Sequence, residues 1–119
     1  MQSLNHQVVI PDLMNIMERV HELSWETFRK GIKIHRIYGN QSEGPSAALL
    51  WYEAGAELPR HRHLGYEHLI ILHQSQTDDT GHKHAGTLIV NPPRSEHAVF
   101  NPKGSLVLAI WEKPVTFDL

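Results

Sequence analysis

Three histidines and one glutamate are spaced along this chain in a way that few structures other than a β-barrel would require. His61 and His63 are separated by one residue, Glu67 follows four positions later, and His97 comes thirty positions after the glutamate. On an extended strand, residues two apart project from the same face, so both imidazoles of the first pair should point to one place. Gly65 suits a bend that would return the carboxylate to the same point. The spacing therefore predicts one site assembled from distant strands.

These residue types are ligands for a divalent metal ion. Imidazole and carboxylate together suit borderline or hard divalent cations. Four protein ligands can complete a tetrahedral zinc site. On iron, nickel or manganese, the same four side chains leave one or two positions for water, dioxygen or a substrate. We therefore expect one divalent metal ion per chain, with Zn, Fe, Ni or Mn as the alternatives, bound by His61, His63, Glu67 and His97.

The composition predicts a single globular domain. The 119 residues are 40 % hydrophobic and 20 % charged, with a formal net charge of −2, which suits one core and is too short for two. The absence of cysteine excludes disulfides, thiolate zinc sites and thiol catalysis. Lysine and arginine form no basic stripe, so no nucleic-acid partner is expected. No apolar stretch reaches the roughly 18 residues of a membrane span, and the start does not resemble a signal peptide, so we predict a cytoplasmic protein without membrane contact.

Short strands separated by turn residues make up most of the chain. Clusters of Gly, Pro, Asp and Asn delimit predicted strands at 32–38, 46–53, 57–63, 67–74, 86–91, 97–100 and 105–112. Apolar residues recur every three or four positions over 11–23, which predicts an amphipathic helix with Asp12 as its N-cap, although residues 8–10 could instead form a short strand. This pattern is typical of an antiparallel barrel or sandwich.

Two predicted strands lack the alternation of a half-buried strand. Residues 69–72 and 106–110 are apolar at nearly every position, so both of their faces should be covered. One face can pack inside the barrel, and the other needs the helix or a second subunit, because a large apolar face in water is a liability. We therefore expect a homodimer, with residues 1–24 as an arm or helix packing on the barrel or on the dimer partner, and residues 25–119 as the barrel.

The remaining histidines have simpler interpretations. His82 and His84 repeat the local spacing of the first pair, but they follow a Thr-Asp-Asp-Thr-Gly segment and have no carboxylate partner after them. We interpret that pair as part of a solvated loop. His68 should point away from Glu67 by strand alternation. A structural role is also assigned to the other four, which are His6, His21, His35 and His73.

No separate general acid or base can be identified from the sequence. Strand alternation leaves each candidate for lining the barrel equally able to point inward or outward; these candidates are Tyr52, Glu53, Tyr66, Arg36, His73 and Trp111. Core packing is the preferred interpretation for Tyr52 and Trp111. Arg94 should lie near the barrel mouth, where it is a candidate for contacting an anion, although a solvated turn residue fits as well. The candidate catalytic side chains are therefore Tyr52 and Arg94.

Both ligand-bearing segments resemble the two motifs of the cupin superfamily. The first motif, Gly-x5-His-x-His-x3-Glu-x6-Gly, matches over residues 55–67, but Gln74 stands where its last glycine is usual. The second motif, Gly-x5-Pro-x-Gly-x2-His-x3-Asn, matches at Gly86, Pro92, His97 and Asn101. Arg94 replaces its internal glycine. Both departures fall at turn positions and leave the ligands unchanged.

A longer similarity links the chain to cupin domains related to the anti-sigma factor ChrR. Residues 25–34, 47–50 and 59–63 carry this resemblance, which extends over most of residues 20–112. It implies an all-β fold, the double-stranded β-helix or RmlC-like jelly roll, with the four ligand residues binding a divalent metal that is zinc in the ChrR proteins themselves. Anti-sigma factors of this kind carry an N-terminal helical zinc domain with cysteine ligands, so we do not expect sigma-factor inhibition here.

Two classes of function remain open after this comparison. The first is a metal-dependent small-molecule enzyme, such as a dioxygenase acting on a small enol or diketone, a decarboxylase or an isomerase. The second is a non-catalytic sensor or ligand-binding cupin, whose metal is structural or releasable. A metal-free cupin is disfavoured because the ligand set is complete.

Overall fold

Over residues 5–119, ten strands follow one N-terminal helix. The computed structural model describes residues 5–119, so residues 1–4 of the predicted arm lie outside the described residues. A 3₁₀ helix spans Leu13–Glu22. The strands are β1 (Glu26–Arg29), β2 (Ile32–Tyr38), β3 (Ser46–Tyr52), β4 (Ala56–His63), β5 (Glu67–Asp78), β6 (Gly81–His84), β7 (Leu88–Asn91), β8 (Glu96–Asn101), β9 (Ser105–Trp111) and β10 (Val115–Thr116). In the described part of the chain, no helix is long and apolar enough to cross a membrane.

The strands form two antiparallel sheets that share β5. One sheet has the order β1-β2-β3-β9-β5-β7, and the other has the order β10-β4-β8-β5-β6. The first part of β5 pairs with β7 and β9, and its last part pairs with β6 and β8. Gln74 lies where β5 passes from one sheet to the other, with φ at 61°. Its left-handed backbone explains why cupin motifs favour glycine at this position.

The two sheets close around an apolar core, which is the predicted all-β double-stranded β-helix. Alternate residues of the strands point inward, as the period of two requires. The buried side chains between the sheets are Ile32, Ile34, Ala48, Leu50, Tyr52, Leu58, Leu69, Ile71, Val99, Val107, Ala109 and Trp111. Burial of this set supplies the main favourable free energy of the barrel.

The outer face of the first sheet is covered by the N-terminal helix. Ile16 and Val20 of the helix pack against Leu49, Leu72 and Leu106 on three adjacent strands. This second layer explains why the strands around 69–72 and 106–110 are apolar on both faces. The helix covers only part of the sheet, because three large apolar side chains beyond it remain exposed, namely Leu88, Val90 and Ile110.

The helix differs from the predicted one in type and in its cap. It is a 3₁₀ helix with non-helical backbone angles at Asn15 and Arg19, rather than a continuous α-helix. Asp12 adopts φ 52° and makes no side-chain cap hydrogen bond; instead its carbonyl accepts from the Asn15 amide at 3.0 Å. Residues 8–10 form no strand. Packing of the apolar stripe onto the sheet, rather than a cap, holds this segment in place.

Three strands were absent from the sequence prediction. His82 and His84 lie on β6, which pairs with an extended β5, and not in a loop. β1 and β10 are only four and two residues long. The side chains of these strands are mostly exposed or half-buried, so the sequence carries no apolar alternation there to indicate a strand.

Candidate metal centre

A bulge in β4 directs its two histidines into the barrel. Leu58 and His61 both point inward, while Pro59 and Arg60 between them are exposed, and the pairing with β8 shifts register at this point. Proline cannot donate a ladder hydrogen bond and is tolerated at such a bulge. Regular alternation then resumes, so His61 and His63 are both 1 % exposed.

The three histidines meet inside the barrel, and the glutamate lies beside them. His97 of β8 is directly opposite His61 in the strand pair. Each of the three rings, those of His61, His63 and His97, has one nitrogen that lies within 4.8 Å of the corresponding nitrogens of the other two. These three atoms are close enough together to hold a metal ion. Glu67 enters from β5, where its Oε1 is 3.0 Å from His63 Nε2 and 3.9 Å from His97 Nε2. The barrel thus brings together all four predicted ligand residues.

Hydrogen bonds to backbone and hydroxyl oxygens fix the orientation of the two β4 histidines. His61 Nδ1 donates to the Pro59 carbonyl at 2.8 Å. His63 Nδ1 donates to the Ser95 carbonyl at 3.0 Å and lies 2.9 Å from Ser95 Oγ, which itself donates to the Pro92 carbonyl. Since Nδ1 carries the proton in each neutral ring, Nε2 presents its lone pair to the centre, as metal-binding histidines require.

The buried pair of His63 and Glu67 fits a bound cation. With the ring proton on Nδ1, His63 directs a lone pair from Nε2 toward the Glu67 carboxylate, and this Nε2 is a buried atom without a hydrogen-bond partner. Two acceptors 3.0 Å apart are stable only if a proton or a metal ion lies between or beside them. Trp111 Nε1 and Asn91 Nδ2 donate to the two carboxylate oxygens at 2.7 and 2.8 Å, so the glutamate is held in place.

Burial favours the neutral form of two of the site's histidines, His61 and His97. It lowers the pKa of His61 to about 4 and also lowers the pKa of His97. For Glu67, burial acts to raise the pKa, but contacts with His63 and His97 and the hydrogen bond from Asn91 outweigh it, so the pKa lies below its ordinary value. At neutral pH the site therefore contains the neutral imidazoles of His61 and His97 and the ionised carboxylate of Glu67, which are the states that bind metal.

The β5–β6 hairpin supports the site from outside, which sequence reasoning missed. Asp78 Oδ2 accepts from His97 Nδ1 at 3.3 Å, and Lys83 pairs with the other oxygen of the same carboxylate. Asp79 pairs with Arg60 at 2.5 Å and accepts from the Ala98 amide at 3.4 Å. The Thr-Asp-Asp-Thr-Gly segment was a signal for a hairpin, but only the pairing of β5 with β6 shows that it faces the ligand strands.

Removing the Asp78 carboxylate is expected to weaken metal binding without removing a ligand. We expect Asp78→Ala to lower zinc affinity by about 10- to 100-fold, because His97 would lose the acceptor that orients its ring. Calorimetric titration with zinc measures this effect. Asp79→Ala serves as the control and should retain wild-type affinity, because it removes an exposed ion pair with Arg60 and a long hydrogen bond from the Ala98 amide but no contact with a ligand side chain. Equal affinities for both variants would contradict a positioning role for Asp78.

A narrow cavity adjoins the metal cluster within the barrel. The space inside it that a water-sized molecule can occupy is about 20 Å³. The lining residues are Phe28, Gln41, Leu50, Tyr52, Leu58, His61, Glu67, Leu69, Gln76, His97, Val99, Trp111 and Val115. Most of this wall is apolar, so it favours contact with apolar groups.

The predicted lining and catalytic candidates divide into two groups. Tyr52 and Trp111 are buried and line the cavity. Burial and the nearby Glu67 charge raise the pKa of Tyr52, so its hydroxyl stays protonated and can donate a hydrogen bond. Arg94 is exposed in the turn before β8, with φ 74°, and does not line the cavity. The cavity wall also does not include the other four candidates, which are Glu53, Tyr66, Arg36 and His73.

The sequence matches the ChrR cupin-like domain family over residues 14–116. The chain belongs to this family. Comparison with curated protein sequences gives no significant match. The cupin structure of ChrR in its complex with SigE from Rhodobacter sphaeroides is similar, with a TM-score of 0.68 and 25 % identity over 78 % of this chain and 50 % of that chain. The chain thus spans half the length of ChrR.

Two other solved structures show the same cupin fold at lower identity. An RmlC-like cupin from Ralstonia eutropha JMP134 has a TM-score of 0.71 and 18 % identity over 81 % of this chain and 67 % of that chain. An acetylacetone dioxygenase from Acinetobacter johnsonii has a TM-score of 0.74 and 16 % identity over 98 % of this chain and 80 % of that chain. These likenesses establish the shared cupin architecture.

Proposed function

We propose that this ChrR-like cupin is a metal-dependent small-molecule enzyme of dioxygenase type. In this proposal a divalent ion, with Zn, Fe, Ni or Mn as the alternatives, is held by His61, His63, Glu67 and His97. The observation that carries it is the convergence of three buried imidazoles, with a carboxylate beside them, next to a narrow cavity that His61, Glu67 and His97 line. A purely structural ion would need no adjoining cavity.

The residues around the ion have separate roles in this proposal. The bound metal would act as a Lewis acid, and iron would also supply redox chemistry toward dioxygen. Trp111 and Asn91 hold the Glu67 carboxylate in its orientation. Tyr52 is a protonated hydroxyl on the cavity wall and can donate a hydrogen bond to a bound oxygen atom. The apolar wall excludes water, which strengthens each polar contact inside.

A small diketone or enol is the substrate class that we favour. The cavity wall is mostly apolar and the cavity is narrow, which favours a compact molecule with few charged groups. A protein with the same fold is named acetylacetone dioxygenase, and acetylacetone is a compact diketone. At 16 % identity this likeness supports the proposal through the fold alone.

A sensor without catalysis is the second candidate function. The family match and the 25 % identity to ChrR, which was solved in complex with a sigma factor, favour it. In this alternative the metal is either tightly held or released on oxidation. The cavity either binds a ligand without converting it or has no binding role. The chain corresponds to half of ChrR, so the partner of that protein is not carried over.

Metal analysis after anaerobic purification separates the two candidates. For the enzyme we expect stoichiometric iron, nickel or manganese, and consumption of dioxygen when pentane-2,4-dione is added. Tightly held zinc that is expelled by peroxide, with no dioxygen consumption by the iron-loaded protein, would instead support the sensor. Absence of any metal after reconstitution with excess divalent ions would contradict both.

We also propose that the protein is a cytoplasmic homodimer. Leu88 and Val90 on the edge strand β7 and Ile110 on β9 are 59 %, 47 % and 37 % exposed. These apolar side chains lie on the outer face of the first sheet, beyond the part that the helix covers, and a second copy would bury them. Light scattering is expected to give twice the 13.6 kDa chain mass; a monomer at micromolar concentration would contradict this.

A further inference from the structure

We propose that Gln41 is a ligand-contacting residue of the cavity and that it selects small, uncharged carbonyl compounds. This inference rests on the proposed function, since it names the substrate class of the same site. Gln41 lies outside both cupin motifs, on the loop between β2 and β3.

The amide of Gln41 is a buried donor without a partner. Gln41 lines the same cavity as His61, Glu67 and His97. Its Nε2 atom is buried and makes no hydrogen bond to the described part of the chain. Buried amides of folded proteins are almost always hydrogen-bonded, and an exception needs a physical explanation. A ligand oxygen in the cavity would supply the missing acceptor.

The loop around Gln41 is built to hold that residue in a strained conformation. Gln41 has a φ of 65°, a left-handed backbone that side-chain-bearing residues rarely adopt. Asn40 Oδ1 accepts hydrogen bonds from Ser42 N at 3.0 Å and from Ser42 Oγ at 2.6 Å, so the residues on both sides of Gln41 are tied together. Gly39, with φ 71°, packs so tightly on Pro45 that a Cβ there would overlap its carbonyl. Such strain is typical of ligand sites.

The charges around the cavity indicate which oxygen compounds fit. Among the lining residues in the described part of the chain, Glu67 is the only carboxylate, and none is a lysine or an arginine. A ligand carboxylate that is not on the metal would therefore have no cationic side chain to pair with, and would be repelled by Glu67. A carbonyl group could accept from Gln41 while its apolar flanks contact Leu50, Leu69 and Val99.

Ligand binding to the zinc-loaded protein tests this inference without requiring turnover. Calorimetric titration first measures zinc affinity, and then the affinities for pentane-2,4-dione and for malonate, an anion of similar size. We expect wild-type protein to bind the diketone at least tenfold more tightly than malonate. Gln41→Leu is expected to weaken diketone binding by about three- to tenfold, the usual effect of one neutral hydrogen bond, and to leave zinc affinity unchanged. Glu43→Gln, an exposed change on the same loop, should behave as wild type.

Each other outcome overturns a defined part of the argument. If wild-type protein binds none of zinc, iron, nickel and manganese, the proposed function fails, and this inference fails with it. If zinc binds but the diketone does not, or malonate binds as tightly, the substrate class is wrong while the metal site stands. If Gln41→Leu binds the diketone as tightly as wild type, Gln41 is not a ligand contact. The same conclusion follows if Glu43→Gln weakens diketone binding as much as Gln41→Leu does.

Discussion

Replacing His61 or His97 by alanine is expected to remove most of the metal from the purified protein. Each change deletes one buried imidazole whose Nε2 faces the centre and leaves a gap in an enclosed site, where a water molecule must replace it. Since changes to residues that only orient a ligand cost about 10- to 100-fold in affinity, loss of the ligand itself should cost about 100-fold or more. Elemental analysis after dialysis and calorimetric titration measure the content and the affinity.

His82→Ala and His84→Ala provide a matched control for this experiment. These histidines are also two residues apart on a strand, with ring centroids 4.7 Å apart, but they lie on the surface strand β6. They should retain wild-type metal content. If all four substitutions remove metal equally, the site has been placed wrongly. Metal binding would then depend only on two histidines being two residues apart, and not on their burial in the barrel.

Acidification is expected to destabilise the metal-free protein strongly. The unfolded imidazole of residue 61 takes up a proton near pH 6.5, whereas in the folded protein burial lowers the pKa of His61 to about 4. Between these values the unfolded state binds more protons, so the free energy of unfolding falls as the pH falls and levels off below pH 4. This one group accounts for a loss of about 3 kcal/mol. His97 and Glu67 also have lowered pKa values and act in the same direction.

Urea unfolding in the presence of a chelator, repeated between pH 7 and pH 4, measures this loss. The His61→Gln variant lacks the buried imidazole and should show a flatter dependence on pH. A free energy of unfolding that stays constant over the same range, or an equally steep dependence in His61→Gln, would show that the buried histidine does not govern acid stability. Saturating zinc should steepen the acid loss, since protons and metal compete for the same nitrogens.

Local spacing predicted many short antiparallel strands and selected the four residues proposed as metal ligands, whereas the cupin barrel itself was implied by the resemblance of the two motifs. The period of two along a strand places His61 and His63 on one face, and turn residues at regular intervals predict many short antiparallel strands. The apolar runs in β5 and β9 also predicted a second covering layer, part of which is the N-terminal helix. These features depend on residues near one another in the chain, which is why a pattern could indicate them.

Only the tertiary structure decided what surrounds those four residues. Asp78 reaches His97, and Trp111 reaches Glu67, through the register of strands that are far apart in sequence. Gln41 enters the same cavity from a loop that no pattern connects to the motifs. The sequence determined which side chains share a face of a strand, because that is set by backbone geometry. The fold determined which of them meet across strands, because strand pairing and burial are properties of the whole packed barrel.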